Sequence, residues 1–108
     1  MKILFIGAHP DDCEVYGGGT AALFAKMGHQ VKFISVTNGN AGHHELSGQA
    51  LVDRRRAETQ AAAQILGATY EVLDNDDGQL EPNVANRNEI IRKIRGLQAD
   101  VVVTHRPN

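Results

Sequence analysis

The 108 residues carry 13 acidic and 11 basic side chains, a net charge of −2, with 42% hydrophobic and 22% charged residues. That composition suits one globular domain and gives no basic footprint for nucleic acid, Arg54-Arg55-Arg56 being the only dense cationic run. No apolar stretch is long enough to span a bilayer, and a single cysteine excludes an internal disulfide framework, so a reducing cytoplasm is the expected compartment.

Lys2 to Gly7 opens the chain as a short apolar run, predicted to be a strand buried on both faces as parallel strands are. It stops at Ala8-His9-Pro10-Asp11-Asp12-Cys13-Glu14, an imidazole followed by adjacent carboxylates. Gly17-Gly18-Gly19-Thr20 is expected to open a helix reaching about Met27, packing through Ala21, Leu23, Phe24 and Met27 and stopping at Gly28. Gln30 to Val36 is a second strand, and Thr37 to His44 is a polar, glycine-rich loop after it.

A long helix follows, from Ser47 or Leu51 to Leu66, closed by Gly67. Tyr70 to Leu73 is a third strand and Asp74-Asn75-Asp76-Asp77-Gly78 an acidic turn. Glu81-Pro82 leads into a helix over Val84 to Leu97, with Ile90, Ile91 and Ile94 facing inward. Asp100 to Thr104 is a fourth strand, and the chain finishes with His105-Arg106-Pro107-Asn108.

Strand and helix alternate throughout. The order predicts a Rossmann-like three-layer α/β/α fold with a parallel sheet and right-handed crossovers, as a single domain over residues 1–108. The sheet is expected to be truncated after its fourth strand, leaving Val101-Val102-Val103 short of cover, which self-association into a homo-oligomer would supply.

In such sheets ligands bind beyond the carboxyl ends of the strands, where His9, Asp11 and Asp12 fall. Two adjacent carboxylates repel unless a cation sits between them. His9 and Asp12, three apart in one loop, can turn toward one point, and imidazole nitrogen with carboxylate oxygen suits zinc or another borderline first-row ion. Asp11 lies between them and is free to accept a proton from water. Pro10 restrains His9, and Glu14 is a candidate acceptor for a ligand or for the loop backbone. The plain alternative is a capped, solvated loop without metal. Paired acids that bind magnesium, as in receiver domains, fit less well because of the inserted His-Pro and the glycine triplet. Cys13 reads as a small buried thiol, and the acidic turn lacks the ligand spacing of an EF-hand.

Ala8-His9-Pro10-Asp11-Asp12-Cys13-Glu14 with Gly17-Gly18-Gly19-Thr20 resembles the N-terminal signature of the LmbE-like, or PIG-L, deacetylases. Thr37-Asn38-Gly39 with the following Gly-His-His loop, Arg55-Arg56-Ala57-Glu58, Leu66-Gly67, Asp77-Gly78 and Thr104-His105-Arg106-Pro107-Asn108 are similar in turn, so the resemblance covers essentially the whole chain. It implies a zinc-dependent N-deacetylase that removes acetyl from a small N-acetylglucosamine-type substrate, an amino sugar or glycoconjugate. On that resemblance His9 and Asp12 are Zn2+ ligands, Asp11 is the general base, and Arg55, paired with Glu58, reaches the substrate. His43 and His44 either contact substrate or lie in solvent. The resemblance puts the third ligand, a His, just beyond Asn108, making His105 its neighbour, and it predicts weak or no activity for these 108 residues alone. Zinc and iron both suit the ligand set. The reading from another class is a non-catalytic α/β module that keeps the motif and associates through its uncovered fourth strand.

Overall fold

The computed structural model of the chain describes residues 1–41 and 45–107. Four strands and three helices alternate: β1 (Lys2–Gly7), α1 (Asp12–Lys26), β2 (Gln30–Ser35), α2 (Gly48–Leu66), β3 (Thr69–Val72), α3 (Val84–Leu97) and β4 (Val101–Thr104). The strands form one sheet in the order β3-β2-β1-β4, every neighbouring pair parallel. The α/β fold expected from the alternation is thus the observed one. From β1 the chain steps outward through β2 to β3, then crosses back to lay β4 on the other side of β1. That reversal puts the topological switch point between the carboxyl ends of β1 and β4.

Alternation along the strands sorts the core into two layers. Ile3 and Phe5 of β1, Val31 and Phe33 of β2 and Tyr70 of β3 pack with Cys13 and Ala21 of α1 and Ala63 of α2. Phe5, Phe33 and Tyr70 are register partners across three strands, and each neighbouring pair of rings meets edge to face with centroids 5.4 Å apart. The opposite face collects Leu4, Ile34 and Leu73, against which Ile94 and Leu97 of α3 rest. On that face Lys32 donates to Glu71 at 2.7 Å, and Lys93 of α3 holds the other carboxylate oxygen. Burial works to raise Glu71, but the two ammonium groups outweigh it and keep the carboxyl below its ordinary range.

The first helix differs from the expected one: it starts at Asp12, with Asp11 at the N-cap position but no side-chain capping bond, and carries the glycine triplet inside it rather than at its head. The reason is a close approach. A Cβ on Gly17 would lie 2.7 Å from the Phe5 ring, so glycine lets α1 settle directly on β1. The long helix begins at the earlier of its two expected starts, with Ser47 as its N-cap, and it ends on Gly67 in the left-handed conformation at φ 73°. Asn83 caps α3 by accepting from the Asn86 amide at 2.9 Å. β1 has its expected limits, and the other strands differ by one residue at one or both ends, within the usual fraying.

Two faces are thinly covered. No residue of α3 is fully buried, and Ile90 and Ile91 are only half-buried, because α3 has no helix beside it on its side of the sheet. Val101, Val102 and Val103 remain 40%, 41% and 39% exposed. The shortfall of cover expected on the fourth strand is therefore present.

Candidate metal centre

β1 and β2 run on together past their ends. Val36 N donates to Gly7 O at 2.9 Å, and Ala8 O accepts from both the amide (3.0 Å) and the hydroxyl (2.7 Å) of Thr37. The chain then turns sharply, Asp11 N and Asp12 N both reaching His9 O at 2.8 and 3.2 Å. This turn folds Asp12 back on the loop that precedes it. Its Oδ2 accepts from Ala8 N at 2.9 Å and His9 N at 2.8 Å, so two backbone donors and the first turn of α1 hold the carboxylate in place.

Two imidazoles approach the same oxygen. His9 Nδ1 stands 3.7 Å from Asp12 Oδ2, and His105 Nε2, at the end of β4, stands 3.5 Å from it. The rings are half exposed, at 48% and 50%, whereas the Asp12 side chain is only 17% exposed. Below them a cavity of about 210 Å³ runs between α1 and β4, lined by Phe5, Asp12, Cys13, Tyr16, Thr104 and His105. Tyr16 meets His105 edge to face at 5.9 Å. This is the crevice at the switch point.

Donors of a tetrahedral zinc with bonds of roughly 2.0–2.2 Å lie roughly 3.3–3.5 Å apart. The spacings around Asp12 Oδ2 are close to that edge, and an imidazole–carboxylate set matches the metal's chemistry. His9 and Asp12 therefore fit as two ligands. Among the described residues, no group of three or more His, Cys, Asp or Glu is arranged to hold a metal ion.

The remaining sequence-derived residues divide. Asp11 is exposed at the N-cap position of α1, and its carboxylate has no hydrogen-bond partner among the described residues. Arg55 lies beside Gly39 and Pro10: a Cβ on Gly39, at φ +68°, would be 2.5 Å from Arg55 Cδ and 3.0 Å from Pro10 Cδ. Its Nε is buried without a partner among the described residues, a donor in want of an acceptor at the margin of the His9 loop. Glu14 accepts from the buried Tyr70 hydroxyl at 2.9 Å, and burial raises its carboxyl above the ordinary range. That contact turns it toward the α1–sheet core, away from the acceptor role expected at the loop. Glu58 pairs with Arg54 at 3.0 Å on the solvent side of α2, both side chains more than half exposed, and not with Arg55. His43 and His44 lie outside the described residues. Cys13 is the expected inert thiol, its Sγ 3.6 Å from Phe5 O and Ile34 O. Burial, aided by the Glu14 charge, pushes it up to about 12.

Sequence reasoning missed one residue. Asp77, read as part of an acidic turn and of the Asp77-Gly78 resemblance but given no role, accepts from His9 Nε2 at 2.8 Å through Oδ1. The loop after β2 carries it there: Asn38 Nδ2 bonds Asp76 at 3.1 Å, Asn38 N bonds Asn75 O at 2.8 Å, and Asp77 N donates to Asn40 Oδ1 at 2.8 Å. The available signal was that Thr37-Asn38-Gly39-Asn40 and the acidic turn both leave the sheet at its carboxyl edge.

Fold and loop together define an α/β protein with an imidazole–carboxylate site at the switch point of a parallel sheet. The chain belongs to the PIG-L family, GlcNAc-PI de-N-acetylase, whose sequence pattern residues 4–108 match. It is 35% identical to the diacetylchitobiose deacetylase of Thermococcus kodakarensis, over 98% of this chain and 41% of that protein. Among solved structures it is similar to the N,N'-diacetylchitobiose deacetylase of Pyrococcus horikoshii, with a TM-score of 0.86 and 33% identity over 94% of this chain and 39% of that one. The 4-carboxy-2-hydroxymuconate hydratase of Pseudomonas putida KT2440 gives a TM-score of 0.88 and 28% identity over 96% of this chain and 46% of that one. The chain thus spans less than half the length of each of these relatives.

Proposed function

We propose that these residues form the amino-terminal portion of the catalytic domain of a metal-dependent N-deacetylase acting on an N-acetylated amino sugar or glycoconjugate. The observation that carries the reading is the Asp12 carboxylate, fixed by two backbone amides with imidazole nitrogens 3.5 and 3.7 Å from one of its oxygens. In this reading His9 and Asp12 are two of the metal's ligands, and the third follows Asn108. Zinc, when bound there, supplies Lewis acidity beside the acetamido carbonyl.

The chain's own residues do the rest. Asp11, exposed and unengaged, takes the proton of the attacking water. Arg55, whose buried Nε–H has no acceptor among the described residues, is the donor assigned to the substrate, and His43 and His44 are assigned to substrate contact on the family resemblance alone. Acetate and a free amine are the products. The deacetylases among the relatives support this substrate class. With only two of three ligands, the 108 residues alone are expected to hold zinc weakly and turn over slowly or not at all.

A second reading draws support from the hydratase relative: the same site directing water to a carbon–carbon double bond. Acetate release from N,N'-diacetylchitobiose by the complete zinc-loaded protein tests the choice. Asp11→Asn is expected to lower kcat roughly 10²–10⁴-fold with zinc content unchanged. Turnover of 4-carboxy-2-hydroxymuconate without acetate release would instead favour the hydratase reading, and turnover of neither would favour the non-catalytic module.

A further inference from the structure

The His9 ring has two nitrogens and only one is available to a metal. Nε2 is 2.8 Å from Asp77 Oδ1, and Nδ1 is the nitrogen that faces Asp12 Oδ2 at 3.7 Å. A carboxylate oxygen accepts here, so in the neutral ring, the form that can bind a metal, Nε2 carries the hydrogen and the lone pair is left on Nδ1. We infer that Asp77 is a positioning residue for His9, holding the ring and its tautomer so that Nδ1 is presented beside Asp12.

The geometry argues that this contact is built rather than incidental. His9 is half exposed, and Pro10 restrains its backbone but not its ring. Without Asp77, rotation about the side-chain bonds would carry Nδ1 away from Asp12. Asp77 is the more enclosed partner, its side chain 18% exposed. It comes from the loop after β3, which is not a neighbour of β1 in the sheet, so it must be carried across the end of β2. Asparagines of the loop after β2 and of the turn itself do this. Asn38 Nδ2 reaches Asp76 at 3.1 Å and Asp74 at 3.4 Å, Asn75 Nδ2 donates to Val36 O at 2.9 Å, and Asn40 Oδ1 accepts from Asp77's own amide at 2.8 Å. Each bond fixes the turn's backbone or a neighbouring side chain, leaving Asp77 Oδ1 for His9. A carboxylate that orients a ligating imidazole is a recurrent support for metal sites.

The inference rests on the reading of His9 and Asp12 as metal ligands, and the test separates the two. Zinc affinity of the complete protein is measured by competition with a chromophoric chelator, for the parent, Asp77→Ala, Asp77→Asn and, as a control in the same turn, Asp76→Ala. Nitrogen-15 shifts of the His9 ring in the metal-free protein report which nitrogen is protonated, a readout that a merely structural role would leave unmoved. Asp77→Ala is expected to weaken zinc about 10–100-fold and to mix the His9 tautomers. Asp77→Asn, which keeps an acceptor oxygen, falls between it and the parent, and Asp76→Ala changes affinity less than Asp77→Ala. Equal zinc affinity in parent and Asp77→Ala, or an unchanged His9 ring, overturns the inference while leaving the metal site standing. Failure of the parent itself to bind zinc overturns the metal reading, and the inference with it. If Asp77→Ala does not fold, the Asp77→Asn affinity and ring shifts decide alone.

Discussion

Asp12 and Cys13 are neighbours in sequence with opposite fates, and the difference comes from the turn of α1 on which each stands. Asp12 faces back over the loop and collects amides from Ala8 and His9. Cys13, one residue on, faces the core between β1 and β2. There burial pushes the thiol up to about 12. Since a raised value means the proton is held, Cys13 is the neutral thiol at every pH below that value and becomes nucleophilic only above it. An ordinary exposed thiol, near 8.5, is partly thiolate at pH 8; Cys13 in the folded protein has roughly 10³-fold less. Labelling by a thiol-specific disulfide reagent at pH 8 is therefore expected to be slower than in denaturant by at least about 10²-fold, opening of the fold setting the floor. Rapid stoichiometric labelling of the native protein would mean that Cys13 faces the cavity it lines rather than the core.

At the scale of elements, the glycines of α1 show what the sequence could and could not reveal. A run of three read from the chain alone is a helix start; here the triplet lies in mid-helix, because its meaning depends on what stands opposite each position. Gly17 lies over Phe5, with a would-be Cβ 2.7 Å from the ring, whereas Gly19 has nothing within 4 Å. Substituting alanine gains about 0.5–1 kcal/mol of helix propensity at either site. At Gly19 that gain should appear whole as added stability in urea titration. At Gly17 overpacking of about 1–3 kcal/mol outweighs it, so Gly17→Ala is expected to destabilise. A stable Gly17→Ala would require α1 to stand off from β1. The strands, by contrast, were legible nearly to the residue, because Ile3 to Ile6, and Val31, Phe33 and Ile34, place apolar side chains on both faces and only a doubly covered strand needs that. The His9–Asp12 pair was legible because both members lie in one short loop. Asp77 was not, because its meeting with His9 joins residues 68 apart and depends on the strand order, which no local pattern encodes. Glu14 and Glu58 went the other way: each is near the motif in sequence, yet helical geometry turns one to Tyr70 and the other to Arg54.

Across the whole molecule, order is unevenly distributed, and the candidate site straddles the boundary. β1 and β2 sit mid-sheet with helices over them, and Ile3, Leu4, Phe33 and Ile34 are almost wholly out of solvent. β4 is an edge strand whose valines are about two-fifths exposed on both faces. It is joined to β1 by ladder bonds, by the Asp100 carboxylate on Lys2 N at 2.7 Å and by the Thr104 hydroxyl on Ile6 O at 2.9 Å. Those last two contacts close 98 residues of chain, so the closure entropy is set against few apolar contacts. Hydrogen exchange should resolve this as two levels: amides of Val101–Thr104 exchanging at least about tenfold faster than those of Val31–Ser35, by local opening that leaves the rest folded. His9, Asp12 and Asp77 then belong to the stable part and keep their geometry when β4 opens, while His105 leaves with it. Uniform protection across all four strands would contradict this. Run on residues 1–108 alone at two protein concentrations, the same experiment identifies the cause: protection of β4 that grows with concentration means a second copy covers the valines, and protection independent of concentration means the strand is held by its bonds to β1.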